Sequence, residues 1–140
     1  MVGERIKEKT LRGYLGVTDI ANIIYKDCKR FGIEVRQKGN EGKGTKERIT
    51  VRVGSKLGDT YFYKCFVNVN LFTPDIDDRA NLVRLGELEH LGARLESRGE
   101  YNGCRYRYGI ENVEMIKDEE LQGHFINVRL LFEVLNVINK

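Results

Sequence analysis

The residues of this chain that come nearest to a phosphate-binding motif lie in one glycine-rich segment. Residues 39–45 read Gly-Asn-Glu-Gly-Lys-Gly-Thr. A phosphate-binding loop places four residues between its first glycine and a Gly-Lys pair, and Ser or Thr follows the lysine at once. Here only two residues intervene, and Gly44 follows Lys43. The spacing therefore favours a polar, mobile loop across Gln37–Glu47 over a nucleotide site.

Residues that could hold a metal or transfer a proton do not form a recognisable motif. His90 follows Glu89, but the chain lacks the second histidine that a zinc-binding helix carries four residues from the first. Asp75, Asp77 and Asp78 resemble the start of a calcium loop, yet the glycine and the terminal glutamate of that loop are missing. We therefore predict no catalytic residue, no metal site and no cofactor, and we expect the protein not to be an enzyme.

Composition narrows the class of protein further. At 140 residues the chain is expected to form a single domain, 1–140. No apolar run approaches the roughly 20 residues of a membrane-spanning helix, and the charged segment Met1–Thr10 does not resemble a signal peptide, so we expect a soluble protein. The odd number and wide spacing of Cys28, Cys65 and Cys104 predict buried thiols rather than disulfides or a metal site. The net charge of +3 argues only weakly for nucleic-acid contact.

The elements that must position these residues centre on Tyr61–Ser97. Within it, Tyr61–Phe72 alternates so that one side is apolar throughout, which predicts a strand with that side toward the core. Pro74 suits the first turn of a helix, with Thr73 as its N-cap and three aspartates in its first turn. We predict that this helix runs to the end of the segment, because leucines recur every three or four residues: Leu82, Leu85, Leu88, Leu91 and Leu95.

The remaining elements complete an α+β domain. A helix is predicted over Thr18–Phe31, where apolar residues form one stripe before a terminating Gly32. We predict an antiparallel sheet of about four to five strands with two helices packed on one face, in the order α-β-β-α-β-β. A loose N-terminal arm is expected at residues 1–16, and the mobile loop at residues 37–47. The predicted strands are Arg48–Val53, Tyr61–Phe72, Cys104–Glu111 and His124–Val137, with a short strand beginning at Ile33.

One face of this sheet carries the candidate interaction residues. The polar sides of the strands are rich in arginine and asparagine, and the long closing strand also turns two leucines outward. Three interpretations stay open: an ordinary solvated face, a subunit interface or ring lining, and a nucleic-acid surface. We expect the N-terminal arm or another subunit to cover the closing strand. The candidates for a subunit or DNA-channel interface are Arg48, Arg52, Lys64, Asn68, Asn70, Arg105, Arg107, Arg129, Leu131 and Leu135.

Three segments of the chain resemble known proteins. Tyr63–Ile76, Asn81–Glu89 and Phe125–Phe132 resemble small phage or prophage proteins of Bacteroides-type bacteria. In architecture the chain is similar to the tail-terminator and tail-completion proteins, which serve head–tail joining in long-tailed phages. The resemblance rests on a strand–proline–helix junction and on a closing strand.

This resemblance implies a structural role rather than a chemical one. Such proteins form a homo-oligomeric ring at the tail end, with a hexamer favoured. The implied partners are other copies of the chain, tail-tube proteins and head-connector proteins, with DNA passing without sequence-specific contact. The implied location is the tail or neck of the virion, and the host bacterial cytoplasm before assembly. The alternative is a small nucleic-acid-binding accessory domain of a mobile element, which predicts salt-dependent binding by a monomer.

Overall fold

The computed structural model describes residues 13–37, 46–58 and 63–137. Two helices and seven strands occupy these residues. Within the described ranges, neither helix is long and apolar enough to cross a membrane. The elements in chain order are α1 (Val17–Lys29), β1 (Val35–Gln37), β2 (Arg48–Val53), β3 (Leu57–Gly58), β4 (Tyr63–Pro74), α2 (Leu82–Gly92), β5 (Ser97–Tyr101), β6 (Cys104–Asp118) and β7 (Gly123–Val137).

All seven strands belong to one curled sheet. Its order is β1-β2-β4-β7-β6-β5, and β3 pairs with β4. β1 runs parallel to β2, the other described pairs are antiparallel, and the sheet curls into a half-barrel. The prediction of an antiparallel sheet of about four to five strands is therefore wrong. β1 and β3 have too few residues to show alternation, and the sequence of β5, Ser-Arg-Gly-Glu-Tyr, does not alternate between apolar and polar residues.

Both helices pack against the same face of the sheet, which we call the helix side. α1 buries Ile20, Ile24 and Cys28 at helical spacing, and α2 buries Leu85 and Leu88. Each fully buried aliphatic side chain stabilises the fold by about 1.5–3 kcal/mol relative to exposure. On the sheet, the buried residues that face the helices include alternate residues of β4 and β7: Cys65, Val67, Val69, Leu71, Val128, Leu130 and Phe132.

The junction between β4 and α2 differs from the prediction. β4 continues through Pro74, and α2 begins only at Leu82. The N-cap is Asn81, whose Oδ1 accepts a hydrogen bond from the Arg84 backbone N–H at 3.2 Å. The predicted cap, Thr73, lies instead in the strand and is buried. Proline is tolerated at a strand terminus as well as in a first helical turn, so its presence alone did not distinguish the two.

A tight turn replaces the predicted first turn of the helix. Asp77 and Asp78 have φ angles of 52° and 61°, a left-handed backbone that an α-helix excludes. Ile76 and Arg79 exchange backbone hydrogen bonds of 2.8 and 2.9 Å around them. Positive φ at both central residues is typical of a type I′ turn, and aspartate tolerates that conformation better than most residues. The aspartates therefore serve a turn and not a helix dipole.

β6 is longer than predicted. It runs to Asp118, whereas the alternation seen in the sequence ended at Glu111. Pairing with β7 shifts register between Ile110 and Asn112, which marks a bulge. A bulge adds one residue, so the side-chain period restarts out of phase and Val113 continues on the helix side. Because of that phase change, the alternation in the sequence did not predict the second half of the strand.

β5 is a strand that the sequence prediction placed at the end of a helix and in a turn. It pairs with the start of β6 through a two-residue connection, Asn102-Gly103, whose φ angles are 52° and 79°. Asn-Gly between two extended segments is the strongest short-range signal for a hairpin. The predicted turn at Tyr101–Gly103 is therefore part of a hairpin whose first strand is β5.

The predicted arm and loop are only partly described. Residues 1–12 and 38–45 lie outside the described residues. The end of the predicted arm is packed, because Leu15 is buried and the Gly13 backbone N–H donates to the Asn102 carbonyl at 2.7 Å. The hydroxyl of Tyr63 donates to the Leu15 carbonyl. This segment therefore holds the β5–β6 turn against β4.

The prediction of buried cysteines is confirmed. Cys28, Cys65 and Cys104 are all buried free thiols. Burial raises the pKa of Cys28 to about 12 and that of Cys65 to about 11. The Cys104 thiol donates to the Gly13 carbonyl at 2.8 Å and fixes the same N-terminal segment.

Candidate subunit interface

The residues predicted to form an interface share the sheet face opposite the two helices, which we call the polar face. Strand register arranges them in rows that cross the sheet. One row joins Arg52, Asn68 and Arg129, and another joins Lys64 with Arg107 through Glu133 of β7. The alternation in the sequence therefore predicted that these side chains share one face, and the strand register agrees with it. Their role as an interface stays a prediction.

Amide side chains order the middle of the polar face. Asn127 Nδ2 donates to Oδ1 of Asn70 at 2.7 Å and to Oδ1 of Asn68 at 3.2 Å. The three residues lie on β4 and β7, the central pair of the sheet. These bonds fix the orientation of the amides across two strands, so this part of the face is preorganised.

Ion pairs reduce the positive charge of the polar face. Arg107 Nε donates to Glu133 Oε1 at 2.9 Å, and Arg129 Nε donates to Glu111 Oε1 at 3.0 Å. The Arg129 guanidinium also lies 4.6 Å from the centroid of the Phe66 ring, a cation–π contact. Exposed pairs of this kind contribute only about 0–1 kcal/mol to stability. Their larger effect is electrostatic, because the face is less basic than its arginine content predicts.

Arg48 packs within the protein instead of facing outward. Its side chain is only 4% exposed, and its guanidinium carbon lies 4.7 Å from the centroid of the Phe72 ring. Nη1 donates to the Lys46 carbonyl at 3.0 Å. Burial lowers the pKa of Arg48 from its usual value. A planar, weakly hydrated guanidinium is suited to this stacked position, which gives Arg48 a packing role.

The other predicted candidates reach the surface. Arg52, Lys64 and Arg105 are exposed, Leu135 is exposed, and Leu131 is half-buried. A shallow groove of about 560 Å³ runs beside Leu131. Side chains of both charges border this groove, among them Arg98, Arg107 and Glu133. The mixed charge does not favour a polyanion over a protein surface.

The sequence prediction missed the open edge of β6. β5 pairs with β6 only along Cys104–Tyr108. Beyond it, Gly109–Asp118 pairs with β7 on one side, and no described strand lies on the other. We call this segment the open edge. A strand edge presents a row of backbone N–H and C=O groups that another chain can pair with.

Exposed apolar side chains lie beside the open edge. Met115 on β6 is 50% exposed, while Leu82 and Val83 at the start of α2 are 65% and 78% exposed. A groove of about 280 Å³, which we call the edge groove, separates α2 from β6 on the helix side. It is lined by Leu82, Leu85, Gly86, Val113, Met115 and Ile126, with Glu89 and Glu114 beside them. The Asn102-Gly103 turn predicts a hairpin at the start of β6, but it does not predict how far β5 extends along β6.

Comparison with known proteins identifies the fold but no family. No protein-family model matches the chain, and no curated protein sequence matches it. A solved structure among the matches aligns with a TM-score of 0.52 at 15% identity, and the alignment covers 79% of this chain and 86% of that one. At that identity the likeness shows a shared fold alone, and the name of that protein states no activity.

One pair of ionisable residues lies close together on the rim of the sheet. His124 Nδ1 lies 2.8 Å from Asp75 Oδ1, and both side chains are largely buried. The pair joins the start of β7 to the segment that follows β4. Within the described ranges, no three His, Cys, Asp or Glu side chains are grouped so that they could hold a metal. The contact links the start of β7 to the end of β4.

Proposed function

We propose that the protein is a phage structural subunit of the tail-terminator or head–tail joining type, and that copies of it assemble into a ring. The observation that carries the proposal is the open edge, Gly109–Asp118, beside the exposed edge groove. Both features are suited to contact with another protein chain.

The open edge carries one feature that keeps natural edges from pairing, the bulge between Ile110 and Asn112, and lacks others. Edge strands are also commonly short or interrupted by proline, or they carry several lysines. This edge contains no proline and a single lysine, Lys117. It also exposes Ile110 and Met115 on its helix side. A partner strand would satisfy the backbone groups and cover those side chains together, which favours association through this edge.

The phage role rests on the resemblance of three segments to phage proteins, and a self-assembling subunit is consistent with it. A ring requires two different surfaces that match across each contact. The nucleic-acid alternative receives less support, because Arg107 and Arg129 are already paired with glutamates on the polar face. A module that binds phosphates would need such cations to be available.

The proposal is tested by measuring mass with light scattering across protein concentration, with negative-stain images of any large species. We expect a concentration-dependent shift from monomer to one discrete ring, with a hexamer as the expected size. A protein that stays monomeric at every accessible concentration, or that binds DNA as a monomer with strong salt dependence, contradicts the proposal.

A matched pair of variants tests the edge. Met115→Lys places a charge on the open edge, and Leu57→Lys places one at a similarly exposed apolar position, 48% against 50%, on the distant β3. Burying the exposed half of Met115 is worth about 1 kcal/mol, and a buried unpaired lysine adds to that loss. We expect Met115→Lys to raise the concentration for half-assembly about tenfold or more, and Leu57→Lys to leave it unchanged. Equal effects of the two variants would exclude the edge.

A further inference from the structure

Gly86 lies inside α2, at a position where neither the backbone nor the neighbouring side chains require glycine. Its φ is not positive, and a Cβ atom built on it would meet no heavy atom of the described residues within 4 Å. Glycine in a helix interior costs about 1 kcal/mol relative to alanine. Glycine is also used where a bound partner approaches the backbone closely. The surroundings of Gly86 therefore direct attention to what could lie against it.

The space that Gly86 leaves open belongs to the edge groove. Four lining residues recur at helical spacing, so they share the face of α2 that is turned toward β6: Leu82, Leu85, Gly86 and Glu89. Opposite them, Met115 on β6 is half exposed. A strand paired with the open edge would extend the sheet by one spacing of about 4.8 Å. Every second side chain of that strand would point to the helix side, where the edge groove lies.

The open edge carries unpaired negative charge on both sides of the sheet. Glu114 lies on the polar face and Glu89 on the helix side, and both side chains are exposed. Neither forms an ion pair with another described residue. Lys117 of the edge and Arg129 beside it are each already paired with a different glutamate. A segment that docks here is therefore favoured if it is basic, and two open edges paired with each other would bring like charges together.

From these observations we infer that the segment of a second copy that pairs with the open edge is a basic strand, and that it inserts an apolar side chain into the edge groove over Gly86. The inference rests on the proposed function and names the chemistry of the segment that the open edge receives. In strand addition of this kind, backbone hydrogen bonds provide affinity and alternate side chains provide specificity. Here the groove selects an apolar side chain on the helix side, and the carboxylates select positive charge.

Filling the edge groove from within the same copy tests the apolar part of the inference. Gly86→Leu places a side chain in that space, and leucine has a higher helix propensity than glycine, so we expect the variant to be at least as stable as the wild type. The side chain of the second copy is then excluded, and we expect the concentration for half-assembly to rise about tenfold or more. The control, His90→Leu, adds the same side chain at an exposed position of α2 that does not line the groove. We expect it to assemble like the wild type.

Reversing one charge tests the basic part. Glu114 and Glu100 are both exposed glutamates on the polar side of a strand, but Glu100 lies on β5, away from the open edge. We expect Glu114→Lys to raise the concentration for half-assembly about fivefold or more, because the lysine opposes a basic segment. We expect Glu100→Lys to leave it unchanged. Light scattering across protein concentration measures all four variants, and unfolding experiments on dilute protein confirm that each is folded.

The outcomes separate this inference from the proposed function. If the wild type assembles and either Gly86→Leu or Glu114→Lys assembles as readily, the proposed function is retained and the inference is overturned, since it requires both effects. Stronger assembly of Glu114→Lys would show that the docking segment is acidic and would overturn the inference as well. A wild-type protein that never assembles overturns both.

Discussion

Two glycines in α2 differ in their surroundings, and alanine substitutions at them should have opposite effects on stability. A Cβ atom added at Gly86 meets no heavy atom within 4 Å, and Gly86 lies inside the helix with no positive φ. Alanine there removes the entropic cost of glycine without strain. We expect Gly86→Ala to increase the free energy of unfolding by about 0.5–1 kcal/mol.

Gly92 ends the same helix under different constraints. A Cβ atom at this position would lie 2.7 Å from Val128 Cγ2 and 3.5 Å from Leu71 Cδ1. Both neighbours are fully buried, and valine is stiff at χ1, so they have little freedom to move. Overpacking costs about 1–3 kcal/mol, and the helix propensity gained offsets up to about 1 kcal/mol of it. We expect Gly92→Ala to lower the free energy of unfolding by about 1–2 kcal/mol.

Thermal and denaturant unfolding of the two variants provides the assay. It is run at the lowest usable concentration, because association would add to the apparent stability. For a chain of this size, 1 kcal/mol corresponds to a change in Tm of about 3–4 °C, so the two variants should lie on opposite sides of the wild type. If Gly92→Ala is as stable as Gly86→Ala, α2 does not approach β7 as closely as described, and the reasoning about the helix is refuted.

The remaining predictions concern pH and thiol reactivity. Hydrogen bonds from Arg84 hold the pKa of Glu47 below its ordinary value of 4.5, so the pair stabilises the fold above that pH and its contribution is lost as the pH falls through the lower folded value. Acid titration of unfolding free energy should therefore be steeper for the wild type than for Glu47→Gln, and equal slopes would contradict the pairing. Burial raises the pKa of Cys28, Cys65 and Cys104, so a thiol reagent at pH 8 should label them only after denaturation. Rapid labelling of the native protein would show that the thiols are accessible.

Much of the core was predictable because it depends on local periodicity. The stripe of α1 and the alternation of β4 and β7 each extend over enough residues for one side to be identified as buried. Alternation also grouped the residues of the polar face, since residues on one side of each strand share a face once the strands pair. What alternation does not encode is the pairing of side chains across that face. The glutamate partners of Arg107 and Arg129 come from β7 and from the bulge of β6.

The errors arose where a local signal has two physical meanings. Pro74 suits both a helix start and a strand end. Asp77 and Asp78 distinguish the two, because their positive φ excludes a helix there, but that φ is seen only in the folded chain. The bulge near Ile110 broke the alternation of β6 and concealed the open edge. An edge is a property of strand order, and strand order depends on pairings between residues far apart in the chain. The surface on which the proposed function rests was therefore beyond reach of sequence patterns alone.

The central claim is that the open edge of β6 is the surface through which copies of the chain associate. Amide hydrogen exchange, measured from dilute monomer to concentrated protein, tests it most directly. We predict that protection of Gly109–Asp118 increases with concentration in step with the mass, while β3 keeps its exchange rates. Assembly without any change in the exchange of Gly109–Asp118 would contradict the account.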